Sequence, residues 1–212
     1  LLVENFGDVP FFPETVPPIT IASITRVIAD LRPTAPFGVN VLRNDAVAAL
    51  SIAHATGARF IRVNVHAGAV AADQGVLAGR AHDTLRLRAA LGADVAILAD
   101  LRVKHATPLG SRPIAEEARD TAERALADGL IVSGSRTGSS PSTEDLAAAR
   151  AGVPDALLLV GSGATVENVG ALLRHADGVI VGTSLKRDGR VEAPVDRERA
   201  ARFVDAFRRA AR

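Results

Sequence analysis

The chain has 212 residues, 48% of them apolar and 23% charged, a length and balance that suit one globular domain with a sizeable core. A formal net charge of +1 gives no electrostatic case for nucleic acid or an acidic membrane surface. The absence of Cys excludes disulfides, thiolate metal sites and a Cys nucleophile, and no apolar run reaches the ~20 residues of a membrane helix. No signal-peptide pattern is visible, so the expected compartment is the cytoplasm.

Short β-branched runs alternate with Ala-rich helical segments. Strands are predicted over 1–6, 37–42, 60–65, 95–99, 130–133, 157–160 and 179–181. After the second, Asn44 or Asp45 opens a helix that runs to Thr56, and Gly57 closes it. After the third come His66 and residues 67–79, a loop long enough for a lid. Pro113 suits a first helical position, with Ile114, Ala118, Thr121, Ala122 and Ala125 at helical spacing behind it. Thr143 caps a helix with Glu144 and Asp145 in its first turn, and Gly152 and Pro154 end it. Thr165 caps the next helix. Asp196 caps the last, where Ala200, Phe203, Val204 and Phe207 share a face. The late arginines, Arg199, Arg202, Arg208, Arg209 and Arg212, suit a solvated C-terminal helix face.

Strand–helix units in this order imply a parallel sheet covered by helices, in one domain over 1–212. A weak repeat runs through it: 127–135 (ADGLIVSGS) resembles 176–184 (ADGVIVGTS). Two architectures fit, an open doubly wound sheet or a barrel of eight units. An open sheet gathers function at one switch point. A barrel turns every strand end toward one mouth. Here every predicted strand ends in polar or glycine residues, which favours the barrel. Only seven strands are found. The eighth is expected upstream of Leu1, since the chain does not begin with Met.

The paired ends Gly161-Ser162-Gly163 and Gly182-Thr183-Ser184 suggest a phosphate site after the last two strands. Glycine lets backbone N–H groups approach an anion, and a following helix N-terminus adds favourable field. Lys104, His105 and Asp100 form the candidate catalytic centre. A buried Lys loses its proton readily and serves as base or imine former; it can also be a fixed cation beside a phosphate. Glu4 and Asp45 are further acid–base candidates, although Asp45 suits a helix cap equally well. Asn5, Asn40, Asn44 and Asn64 could hold sugar hydroxyls. Together with Glu4, Asp8, Asp45, Asp73 and Asp100 they could instead hold Mg²⁺, the one cofactor considered. Arg43 and Arg62 pair with these acids or hold a substrate anion. His54 and His175 sit on helices and are expected at the surface.

The segments VENFGDVPF, GVNVLRNDA, FIRVNVHAGAVAADQGVLAG, ADLRVKHATPL, VGSGATVENV and ADGVIVGTSLK, in this order, resemble the BtpA/SgcQ family along the whole chain. The resemblance implies a (β/α)8 TIM barrel of the ribulose-phosphate-binding type, with about one more strand–helix unit before VEN. One cyanobacterial branch is linked to photosystem I biogenesis. An enterobacterial branch lies among sugar-utilisation genes and carries a nucleoside triphosphatase label, which no GxxxxGK[ST] loop supports here. Two functions stand as expectations. One is an isomerase, lyase or hydrolase acting on a phosphorylated metabolite, with a homo-oligomer as a candidate assembly. The other is a non-catalytic assembly or regulatory factor for a membrane complex.

Overall fold

The computed structural model describes residues 1–110, 112–134 and 138–211, so Ser135 and Arg212, named above, lie outside the described residues. In chain order the elements are β1 (Leu2–Glu4), α1 (Pro18–Leu31), β2 (Gly38–Asn40), α2 (Ala46–Thr56) and β3 (Phe60–Val63). Then come β4 (Ala69–Ala72), β5 (Gly75–Ala78), α3 (Ala81–Leu91), β6 (Ala96–Asp100) and β7 (Ala106–Pro108). Next are α4 (Ile114–Arg119), β8 (Gly129–Val132), α5 (Thr143–Gly152) and β9 (Leu157–Val160). The chain closes with α6 (Val169–Leu172), β10 (Gly178–Val179) and α7 (Arg197–Ala210).

Seven strands form one parallel sheet in the order β1-β2-β3-β6-β8-β9-β10. Spatial order follows chain order from end to end. A doubly wound sheet would reverse at a switch point, and this one does not. The fold is the TIM-barrel type, and each of the seven predicted strands is present. Among the described residues β1 pairs only with β2, and β10 only with β9.

The core has two halves. On one, Leu50, Ile52 and Ala53 of α2 pack on Val39, Ile61 and Ile97 of the sheet. On the other, Leu146 of α5 and Phe203 of α7 pack on Leu130, Val132, Leu158 and Val160. Each large side chain buried this way contributes about 1.5–3 kcal/mol. These outward-facing residues alternate with inward ones, so β3 covers Ile61 and Val63 with α2 and sends Arg62 and Asn64 into the barrel.

The ADG repeat has a structural explanation at the N-terminal end of the strands. The Asp128 carboxylate accepts the N–H of Ile97 at 2.7 Å, and Asp177 accepts that of Leu158 at 2.8 Å. An arginine from the helix before the pinned strand pairs with each, Arg88 of α3 with Asp128 and Arg150 of α5 with Asp177. Each copy therefore pins one strand start to its neighbour, far from the mouth.

Several elements differ from the sequence reading. Residues 67–79 are not a loop. They form the β4–β5 hairpin, and β7 joins it in a small antiparallel sheet. Its Ala-rich strands lack the β-branched pattern that marks a strand, and the turn depends on Gly75 at φ +102°. Pro113 is the residue before α4, and Ser142 rather than Thr143 caps α5, accepting from Asp145 N–H. The helix expected from Thr165 begins only at Val169 and is four residues long. Thr165 closes the turn before it by accepting from the N–H groups of Glu167 and Asn168. Asp196 caps α7 as expected, through the N–H groups of Glu198 and Arg199.

Candidate functional site

The segment GVNVLRND gathers four different jobs at the end of β2. Asn40 donates to Glu4 Oε1 at 2.9 Å, across to β1. Arg43 donates to the Lys104 carbonyl. Asn44 grips Val65 with both ends of its amide: Oδ1 accepts Val65 N–H at 2.8 Å, and Nδ2 donates to the Val65 carbonyl at 3.0 Å and also reaches the Ala78 carbonyl at 3.5 Å. Asp45 caps α2 through Ala48 N–H and accepts Val16 N–H with its other oxygen, both at 2.9 Å. Asn5 repeats the amide device one strand earlier, gripping Leu42 N–H at 2.7 Å and its carbonyl at 3.2 Å. A side-chain amide presents a donor and an acceptor as a peptide does, so Asn5 and Asn44 extend strand pairing beyond the last residues of β1 and β2. The fold thus gives Asn5, Asn44 and Asp45 internal partners, although the sequence offered them for ligands or catalysis.

In the barrel interior Arg62 holds Asp100 with two bonds of 3.1 Å. The Asp100 side chain is 0% exposed, and Asn64 Nδ2 and the Ser133 hydroxyl complete its shell at 2.6 and 3.4 Å. Arg62 also reaches Glu4 at 3.5 Å. Burial alone would lower the Arg62 pKa, but Asp100 and Glu4 raise it above the ordinary value. Asp100 is thus held as the counterion of Arg62. Gly161 belongs to this cluster, because a Cβ there would meet Ser133 Oγ at 2.3 Å and Ile131 Cγ2 at 2.6 Å.

Above this pair lies a mouth cavity of about 310 Å³. Glu4, Asn40, Arg43, Arg62, Asn64, Asp73, Lys104 and His105 line it, with Phe6, Val9 and Phe11 from the loop after β1. Lys104 is half-buried, and among the described residues no carboxylate pairs with its ammonium. Its pKa is lowered, first by burial and then by the nearby Arg62 charge. Arg43 is 6% exposed, and its Nε has no partner among the described residues. Burial lowers its pKa as well. Lys104 and Lys186 are the only lysines in a sequence with 25 Lys plus Arg. An Arg at 104 would stay charged; a Lys can give up its proton.

The glycine ends lie on the other side of the mouth and do not line this cavity. The N–H groups of Gly163, Gly182 and Thr183 donate to no backbone carbonyl among the described residues. Two hydroxyls are committed to loop structure: Ser162 donates to the Ser139 carbonyl at 2.8 Å, and Ser184 to the Ala164 carbonyl at 2.7 Å. Gly163 has φ +72° and no room for a Cβ, whereas Gly182 faces open space. The acids offered for Mg²⁺ are dispersed, and among the described residues no three His, Asp or Glu side chains converge as a metal site. No helix among the described residues is long and apolar enough to cross a membrane. Sequence reasoning placed Ser133 and Phe6 at strand ends facing the mouth but gave them no role, and it missed Phe11, since their contacts depend on the curl of the sheet.

Residues 1–209 match the BtpA family. The chain belongs to that family. It is 48% identical to the photosystem I biogenesis protein BtpA of Synechocystis sp. over 98% of this chain and 73% of the relative. It is 35% identical to the SgcQ protein of Escherichia coli K12 over 97% of this chain and 76% of the relative. Among solved structures, N-(5'-phosphoribosyl)anthranilate isomerase from Pyrococcus furiosus superposes with a TM-score of 0.58 at 14% identity, covering 92% of this chain and 82% of that one. Orotidine 5'-phosphate decarboxylase from Pyrococcus horikoshii gives 0.56 at 19% identity, covering 92% and 86%. These likenesses give the fold.

Proposed function

We propose that this BtpA-family barrel binds a small phosphorylated metabolite in its mouth and transforms it through Lys104, as an isomerase, lyase or hydrolase. The observation that carries the reading is the Lys104 amine: half-buried, without a carboxylate partner among the described residues, and facing a cavity beside Arg43. Arg43 and Lys104, neither paired with a carboxylate among the described residues, favour an anionic ligand. The phosphate would sit on the N–H groups of Gly163, Gly182 and Thr183, which donate to no backbone carbonyl among the described residues and so are open to charge-assisted bonds. The Lys104 lone pair would add to a substrate carbonyl carbon and water would leave, giving an imine that draws electrons from the neighbouring bond. Glu4, oriented by Asn40, lines the same cavity and is the candidate to accept a proton. The names of the structural neighbours, which include a phosphoribosyl isomerase and an orotidine phosphate decarboxylase, support the phosphate class.

The second reading is an assembly factor that keeps the anion site without turnover, favoured by the printed name of the Synechocystis relative. Pyridoxal phosphate with borohydride separates the two, because the probe carries both an aldehyde and a phosphate. The enzyme reading expects labelling at Lys104 well ahead of Lys186, suppressed by inorganic phosphate. Equal labelling of both lysines would favour the assembly factor, whose retained anion site lets phosphate compete in either case.

A further inference from the structure

A second cavity, of about 860 Å³, opens in the cleft between α3 and α4 and reaches the ends of β3 and β6, where it shares Asn64 with the mouth cavity. Neighbouring helices elsewhere pack together, α1 on α2, α2 on α3 and α4 on α5, but α3 and α4 stand apart. His66 lies at the floor of the cleft and is 1% exposed. Its Nε2 meets the Ala125 carbonyl at 2.9 Å, at the end of the π-helical turn that continues α4. A carbonyl only accepts, so Nε2 carries the proton and Nδ1 offers a lone pair. That Nδ1 is buried and has no partner among the described residues. Burial lowers the His66 pKa, which keeps the ring neutral and the lone pair available. Asn64, 4% exposed, repeats the situation: Nδ2 is given to Asp100, and Oδ1 has no partner among the described residues. Both residues line the cleft.

Two buried acceptors without donors carry a desolvation penalty that a donor from outside would relieve. The rim supplies the opposite chemistry. Arg102 and Arg112 are paired with Glu117 and Asp120. Arg86 reaches only the His82 carbonyl, and Arg124 has no carboxylate partner among the described residues. Between floor and rim the walls include Leu85, Leu101 and Val103.

We infer that this cleft is a second binding site, for a small organic anion whose far end bears an N–H or O–H donor. The donor lies on His66 Nδ1 and Asn64 Oδ1, the flat apolar body against Leu85 and Leu101, and the acid at Arg86 and Arg124. The site does not depend on the reading of the mouth, and Lys104 has no part in it.

The test uses 4-aminobenzoate, which carries the donor, the ring and the acid, with benzoate as the same anion lacking the donor. Binding to the full chain is measured by titration, together with the nitrogen resonance of His66 Nδ1. The expected result is that 4-aminobenzoate binds several-fold tighter than benzoate and alone shifts the Nδ1 resonance. Arg124→Ala weakens both probes by roughly tenfold, the loss for one charged hydrogen bond. His66→Phe removes the Nδ1 acceptor together with the bond to the Ala125 carbonyl, so the two probes then bind alike. Equal affinities in the unsubstituted protein, an Nδ1 resonance that neither probe moves at millimolar concentration, or an Arg124→Ala variant that binds unchanged would each overturn the site. Should His66→Phe fail to fold, the comparison of the two probes on the unsubstituted protein decides.

Discussion

Arg62 and Asp100 meet side-on in the barrel interior, Nε on Oδ2 and Nη2 on Oδ1, both at 3.1 Å. The pair joins the third strand of the large sheet to the fourth, and Glu4, Asn64 and Ser133 extend it to neighbouring strand ends. Both side chains are buried, Arg62 6% and Asp100 0% exposed, so each depends on the other.

Asp100→Asn leaves Arg62 buried without its counterion. The expected loss of stability in urea denaturation is about 3–5 kcal/mol. Replacing both partners, Arg62→Met with Asp100→Leu, should recover most of that loss, because the desolvation of both charges disappears together. A double variant as unstable as Asp100→Asn would show that the pair is not the source of the effect.

Lys104 gives a pH signature. Its folded pKa lies below the ordinary 10.5, through burial first and Arg62 second. Between those two values the unfolded chain binds more protons than the folded one, so the contribution of Lys104 to stability rises with pH across that window. Lys104→Met should therefore be more stable than the unsubstituted protein near neutrality, with the difference shrinking toward 10.5. Labelling of Lys104 by pyridoxal phosphate should also plateau at lower pH than labelling of Lys186, measured peptide by peptide in one sample.

Asn5 and Asn44 separate structure from ligand binding. Asn44→Ala leaves the Val65 N–H and carbonyl without the amide, and Asn5→Ala does the same to Leu42. Each should cost about 1–3 kcal/mol. For a chain of this length that lowers Tm by roughly 2–4 °C per kcal/mol. Anion affinity should hold. A variant with unchanged Tm and lost anion binding would return these residues to the ligand site.

The glycines at the two ends give opposite outcomes. Gly161→Ala drives a methyl into Ser133 and Ile131, and should destabilise by about 1–3 kcal/mol. Gly182→Ala meets nothing within 4 Å and should leave stability unchanged. Its added methyl stands where an anion would approach the backbone, so phosphate affinity should fall. Calorimetry with inorganic phosphate on both the native chain and Gly182→Ala reads this directly, and equal affinities would place the anion elsewhere.

The sequence by itself determined the barrel. Strands buried on both faces carry apolar runs, helices carry caps, and each strand closes on polar or glycine residues because only that end faces the mouth. It also marked Lys104, Arg43, Arg62 and Asp100 as residues of consequence. Tertiary structure alone decided what they do. Arg62 and Asp100 are 38 positions apart, and the register of β3 on β6 pairs Arg62 with this one of the acids open to it rather than leaving it for a substrate anion. Asn5 and Asn44 could have faced a substrate until the curl of the sheet brought Leu42 and Val65 within reach of their amides. The β4–β5 hairpin was not legible either, since short Ala strands gain their order from pairing with each other and with β7 rather than from local preference. Local pattern fixes where the backbone can be strand or helix. Which polar group finds which partner depends on distances across the barrel, and those exist only once the chain has folded.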